Sequence, residues 1–136
     1  MNSLFFEEIS QEEFINLCSS LRSGTATGLD NVSMSLIKET ITLISSPLTH
    51  ILNLSITSGT VPMELKIARV VPLFIAGDKS IFCKYRPFSV LPSFSKVLEE
   101  LVYNRLIDYL SKCKILSDNQ FGFRKHRSTE YGLALL

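Results

Sequence analysis

Lys79, Lys84 and Arg86 stand close together in the middle of a 136-residue sequence, within a stretch rich in turn-forming residues. Cations gathered on a loop can neutralise a triphosphate, arginine through paired hydrogen bonds and lysine as a point charge. A solvated turn has the same composition, so spacing alone leaves both readings open. A second group, Phe121, Phe123, Arg124, Lys125, His126 and Arg127, interleaves aromatic rings with bases. Single-stranded nucleic acid is gripped in this way, with bases stacked on rings and backbone held by charge. A pair of core phenylalanines followed by a basic helix cap would look the same.

Other chemistries find no support. The sequence has no G-x-x-x-x-G-K-[ST] phosphate loop, no G-x-S-x-G nucleophile turn and no H-E-x-x-H zinc motif. Its aspartates, Asp30, Asp78, Asp108 and Asp118, are isolated from one another. None forms the Asp-Asp or Asp-x-Asp pairing that could hold two metal ions roughly 4 Å apart for phosphoryl transfer. By direct reading the chain holds no self-contained catalytic site. Cys18, Cys83 and Cys113 are widely spaced and lack the close ligand pairs of a zinc site. They read as three buried or neutral thiols in a reducing compartment.

The elements that must position these groups follow from periodicity. Ser10-Gln11-Glu12-Glu13 is a capping box, and Phe14, Leu17, Cys18 and Leu21 follow at helical spacing, which predicts an amphipathic helix over 11–22. Gly24 and Gly28 break it into a loop running through Asn31. Ser33 can cap a second helix with Leu36, Ile37, Ile41 and Ile44 on its apolar face. Ser46, Pro47 and Gly59 bracket a third, whose buried face would be Leu48, Ile51, Leu52 and Ser55 or Ile56. His50 and Asn53 should face solvent or a neighbouring helix.

Residues 67–75, IARVVPLFI, are apolar on both alternating faces and predict a buried strand, with Pro72 placing part of it at an edge or bulge. A turn-rich loop over 76–84 leads to a returning strand over 85–91. The longest helix should span 94–112, with a stripe of Phe94, Val97, Leu98, Leu101, Val102, Leu106, Tyr109 and Leu110. Ser128 or Thr129 would cap a last helix. Because that apolar helix is cut short at Leu136, the chain reads as truncated.

Composition bounds the class. At 46% hydrophobic and 20% charged, the chain is too apolar and too evenly charged to be disordered. The net +1 hides an asymmetry: residues 1–60 carry −4 and residues 61–136 carry +5. Opposite-sign halves hint at a polyanion-facing surface. No apolar run approaches the roughly 18 residues of a membrane helix. The start, MNSLFFEEIS, lacks a signal-peptide pattern, so a cytosolic or nuclear chain, not a secreted one, is expected.

Read in order, KIARVVPLF-x-x-GDKS, YRPFSVLPSFSKVLEELVYNRL and LSDNQFGFRKHRSTE resemble the front part of the reverse transcriptase domain of non-LTR (LINE-type) retrotransposons. Upstream, ATGLDNVSMSLIKE and LTHILNLSITSGTVPMELKIA continue the pattern, so the resemblance covers roughly Leu21 to Leu136. It implies a right hand of fingers, palm and thumb, of which this portion is the fingers and the start of the palm. The fold expected is α+β, a mainly helical fingers subdomain with one β-hairpin. Residues 1–22 would form an N-terminal helical region and 23–136 a partial reverse transcriptase domain.

By the same resemblance, Arg86 of Y-R-P and Lys79, with Lys84 beside them, would contact the incoming deoxynucleoside triphosphate. Gly28, Asp30, Gln120, Gly122, Phe123 and Arg124 would line the template path and support the active site, and Arg127 of the aromatic and basic cluster would join them in binding nucleic acid. The implied partners are an RNA template, an RNA/DNA hybrid, dNTP and the remaining palm and thumb, with no membrane. The family's Mg²⁺ ions sit on aspartates of an F-x-D-x-x-x-A-F-D segment and a Y-x-D-D turn that do not occur here, so no cofactor is expected in this chain and no polymerisation by it alone. The chain also departs from the family at Ile75-Ala76, where two bases are usual, at Thr25, where lysine is usual, and at Leu65, where tryptophan is usual. The alternative is a small non-enzymatic nucleic-acid-binding or interaction module.

Overall fold

A computed structural model describes residues 8–117, 119–122 and 124. The first helix, α1 (Gln11–Ser20), starts where its cap predicts, with Ser10 Oγ accepting the Glu13 amide at 3.1 Å. Phe14 and Cys18 are wholly buried, and Leu17 and Leu21 pack beside them. Asn53 fixes the chain just before α1 by accepting from the Ile9 amide at 2.7 Å and donating to its carbonyl at 3.0 Å.

The second and third helices expected from the sequence are one continuous helix, α2 (Met34–Ser58), with Pro47 inside it. Ser33 caps its start and Gly59 ends it in the left-handed conformation, φ 66°. Pro47 does not break the helix because the buried stripe keeps its phase on both sides: Met34, Ile37, Ile41, Ser45, Thr49, Leu52 and Ser55 all face the core. Burial along 25 residues outweighs one lost backbone hydrogen bond. Leu36, expected on the inner face, is instead half exposed, and His50 faces solvent.

The strands β1 (Arg69–Phe74) and β2 (Tyr85–Val90) form one antiparallel ribbon. Its register sets Pro72 against Pro87. The Ile75 amide donates to the Lys84 carbonyl at 2.9 Å, so alternation makes the Pro72–Pro87 pair a non-hydrogen-bonded one. Neither proline therefore removes a ladder bond, and their missing N–H groups fall on the ribbon's two outer edges. The buried strand expected over 67–75 is not found: Val70, Leu73 and Ile75 are more than half exposed, and Val71 and Phe74 more than a third. A strand apolar on both faces needs cover on both, and among the described residues nothing supplies it.

The last described helix is α3 (Ser93–Lys112), close to the expected 94–112. Val97, Leu98 and Leu101 join Ile9, Phe14, Cys18, Met34, Ile37, Ile41 and Leu52 in one core. The helix ends in a Schellman-type turn, with the Ile115 amide on the Leu110 carbonyl at 3.0 Å and Lys114 at φ 52°. The chain divides into two units, Met1–Val102 and Tyr103–Leu136. The mainly helical architecture with a single hairpin is the α+β arrangement expected. The helix predicted from Ser128 or Thr129 lies outside the described residues.

Candidate nucleotide and nucleic-acid interface

The loop joining β1 to β2 is braced along its length. Asp78 Oδ1 accepts from the Ser80 amide at 2.9 Å and the Ser80 hydroxyl at 2.8 Å. These donors hold the Asp78 carboxyl below its ordinary range, so it stays ionised. Gly77 supplies the positive φ of 95° that the turn needs. The Tyr85 hydroxyl donates to the Lys79 carbonyl at 2.9 Å, tying the loop to its return strand. Phe82, at the outer end, is almost fully exposed at 93%.

The three cations of this hairpin do not share one setting. The Lys79 ammonium sits 5.8 Å from the centre of the Phe74 ring, which itself packs on Tyr85 at 5.5 Å. Arg86 pairs in register with Leu73, which puts it on the opposite face of the ribbon from Phe74 and Tyr85. The aliphatic part of Lys84 runs past Gly77, within van der Waals reach of where a methyl there would stand, 3.5 Å from Cε. Among the described residues neither the Lys84 ammonium nor the Arg86 guanidinium has an acidic or hydrogen-bonding partner. Among the described residues, both charges on this braced ribbon are left to solvent.

The Gly28 loop is clipped in place by residues that sequence reading missed. Arg69 Nη2 donates to the Gly28 carbonyl and to Asn31 Oδ1, each at 2.7 Å. Lys96 Nζ reaches the Ala26 carbonyl and Ser93 Oγ the Val32 carbonyl, again at 2.7 Å. Gly28 itself is buried, and a Cβ there would lie 2.7 Å from both Pro92 Cα and Pro92 N. Only glycine admits that approach, so Gly28 lets the β2–α3 junction close over the loop. Asp30 is exposed, with Oδ1 accepting from the Val32 amide at 3.2 Å. Arg69 and Lys96 belong to the basic half of the chain, but only the fold reveals that carbonyls take up their charge.

In the second unit, Arg124 Nη1 donates to the Ser117 carbonyl at 2.8 Å and Gln120 Nε2 to the Gly122 carbonyl at 3.4 Å. The guanidinium thus closes a short loop of which Gln120 is an exposed part. Phe123 and Arg127, with Lys125 and His126, lie outside the described residues. The described His, Cys, Asp and Glu side chains include no group of three that could hold a metal ion. They do not fit the paired Mg²⁺ of a polymerase. Among the described residues no helix is long and apolar enough to cross a membrane.

Of the three thiols, Cys18 is buried, and Cys83 and Cys113 are exposed. Both exposed cysteines sit in or beside turns, which lack a core to cover them.

No family model matches the chain. It is 34% identical over 134 residues to a Drosophila melanogaster protein described as a probable RNA-directed DNA polymerase from transposon BS, which covers 93% of this chain and 14% of that one. It is 31% identical over 131 residues to the RNA-directed DNA polymerase from mobile element jockey of the same organism, again 93% of this chain and 14% of the relative. The jockey polymerase of Drosophila funebris is 30% identical over 127 residues, 90% of this chain and 14% of that protein. The chain thus spans about one seventh of the length of the curated relatives it matches. Over about nine tenths of its length the chain is reverse-transcriptase-like, similar to one part of the RNA-directed DNA polymerases of non-LTR retrotransposons.

Proposed function

We propose that this chain supplies the fingers and the start of the palm of an RNA-directed DNA polymerase, binding nucleotide and template without carrying the catalytic carboxylates. The observation that carries the reading is the pair of side-chain cations, Lys84 and Arg86, without a partner among the described residues, on a braced hairpin of a chain similar to these polymerases. Arg86, Lys84 and Lys79 neutralise the triphosphate of an incoming dNTP. Lys79 first gives up its contact with Phe74, a contact that is weak at an exposed site. The loop of Gly28 and Asp30 and the segment of Gln120, Gly122, Phe123, Arg124 and Arg127 serve an RNA template or RNA/DNA hybrid. Gly28 serves it indirectly, by shaping the loop. Mg²⁺ belongs to carboxylates on the remaining palm, so the isolated chain extends no primer.

An NMR titration of the full chain with a deoxynucleoside triphosphate tests this. Amides of residues 77–86 should shift, and Lys84→Ala with Arg86→Ala should weaken binding by roughly tenfold or more. Shifts confined to other parts of the chain, or a double variant that binds equally well, would contradict it.

A further inference from the structure

Helix α2 carries two apolar stripes, and among the described residues only one is covered. The inner stripe, from Met34 to Ser55, packs into the core. The outer one is Leu36, Leu43, Pro47 and Leu54, with Thr40 filling the gap between the first two. At 3.6 residues per turn these positions fall within an arc of about 60°, far round the helix from the core face. Leu36 is 50% exposed, Leu43 81% and Leu54 55%. The Thr40 hydroxyl is spent on the Leu36 carbonyl at 2.8 Å, which leaves its methyl as the useful surface.

The chemistry of this face narrows what can cover it. Between Thr40 and Ser58 the only titratable side chain is His50, so the stripe has no cation for a nucleic-acid backbone or an anionic lipid surface. The nearest base, Lys38, is turned away to the carbonyls of Ser19 and Leu21. The alternating four- and three-residue steps from Leu36 to Thr40, Leu43 and Pro47 are those of a helix–helix seam, which only another helix matches along its length.

We propose that α2 packs antiparallel against α2 of a second copy of this chain along this outer stripe. The spacing is symmetric about Ser45. A two-fold pairing centred there sets Leu36 against Leu54 of the second copy, Leu43 against its Pro47 and Thr40 against its His50. Glu39 and His50, both exposed, lie on the same margin of the stripe. In this register Glu39 stands diagonally across from His50 of the second copy, and symmetry makes the contact twice. An acceptor thus meets a donor at each end of an otherwise neutral seam. Any other helix could be greasy enough, but the second copy also matches the spacing and this charge pattern.

Sedimentation equilibrium of the full chain across micromolar concentrations tests the pairing. The wild-type chain should dimerise, and Leu43→Glu with Leu54→Glu should leave a monomer with unchanged far-UV circular dichroism, since both sites are exposed. Glu39→Lys should weaken the dimer roughly fivefold, and adding His50→Glu to it should restore the affinity. A wild-type monomer at every concentration, a dimer indifferent to the two glutamates, or a charge reversal that restores nothing would overturn the proposal.

Discussion

At the scale of single residues, type and spacing located the cations but could not say which were already engaged. Arg69 and Lys96 look in sequence like further members of the basic half, yet backbone carbonyls of the Gly28 loop take them up. The side-chain charges of Lys84 and Arg86 have no such partner among the described residues. That distinction depends on tertiary proximity across about 40 to 70 residues, which no local pattern contains. Cys18 is the contrasting case, because its helical spacing with Phe14, Leu17 and Leu21 already set it on an apolar face, and it is the buried one of the three cysteines. Burial pushes the Cys18 thiol up to about 11 from its ordinary value near 9, while Lys38 pulls it slightly down. The folded protein therefore holds this proton more tightly than the unfolded chain. That contribution is fully present below pH 9 and is lost as pH rises from about 9 towards about 11. In a disulfide-exchange assay at pH 8, Cys83 and Cys113 should react promptly and Cys18 only after denaturant is added; three equally fast thiols would contradict its burial.

At the scale of elements, caps and periods placed α1, both strands, the intervening loop and α3 within a few residues. The failures were about context. Ser46-Pro47 reads as a helix start because local chemistry suits one, but the buried stripe continues in phase through it. Proline inside a helix still costs about 3 kcal/mol relative to alanine, partly offset by its restriction of the unfolded chain. Pro47→Ala should therefore stabilise the protein by about 1–2 kcal/mol in urea unfolding, because Pro47 is exposed and alanine can restore the missing N–H. A loss of stability would mean that the proline, not the stripe, sets the helix. The hairpin is the second case. Its apolar residues correctly announced a strand, but whether a strand is covered depends on neighbours that β1 and β2 do not have among the described residues. An uncovered two-stranded ribbon is marginal in water, and the prolines on its outer edges disfavour rescue by a further strand. Cover must come from packing on its faces.

At the scale of the whole molecule, a near-neutral chain resolves into an acidic helical part and a basic part that carries the hairpin. Its described residues include no carboxylate cluster for a metal. The family relationship supplies the context in which that division makes sense, since the matched relatives are several times longer. The most direct test places the chain in that context. A chimaera in which it replaces the aligned segment of the Drosophila melanogaster jockey polymerase should extend a primer on an RNA template with Mg²⁺. Introducing Arg86→Ala there should raise KM for dNTP roughly tenfold or more while leaving primer–template affinity nearly unchanged. A chimaera that does not polymerise, or one whose KM for dNTP ignores the loss of Arg86, would contradict the account.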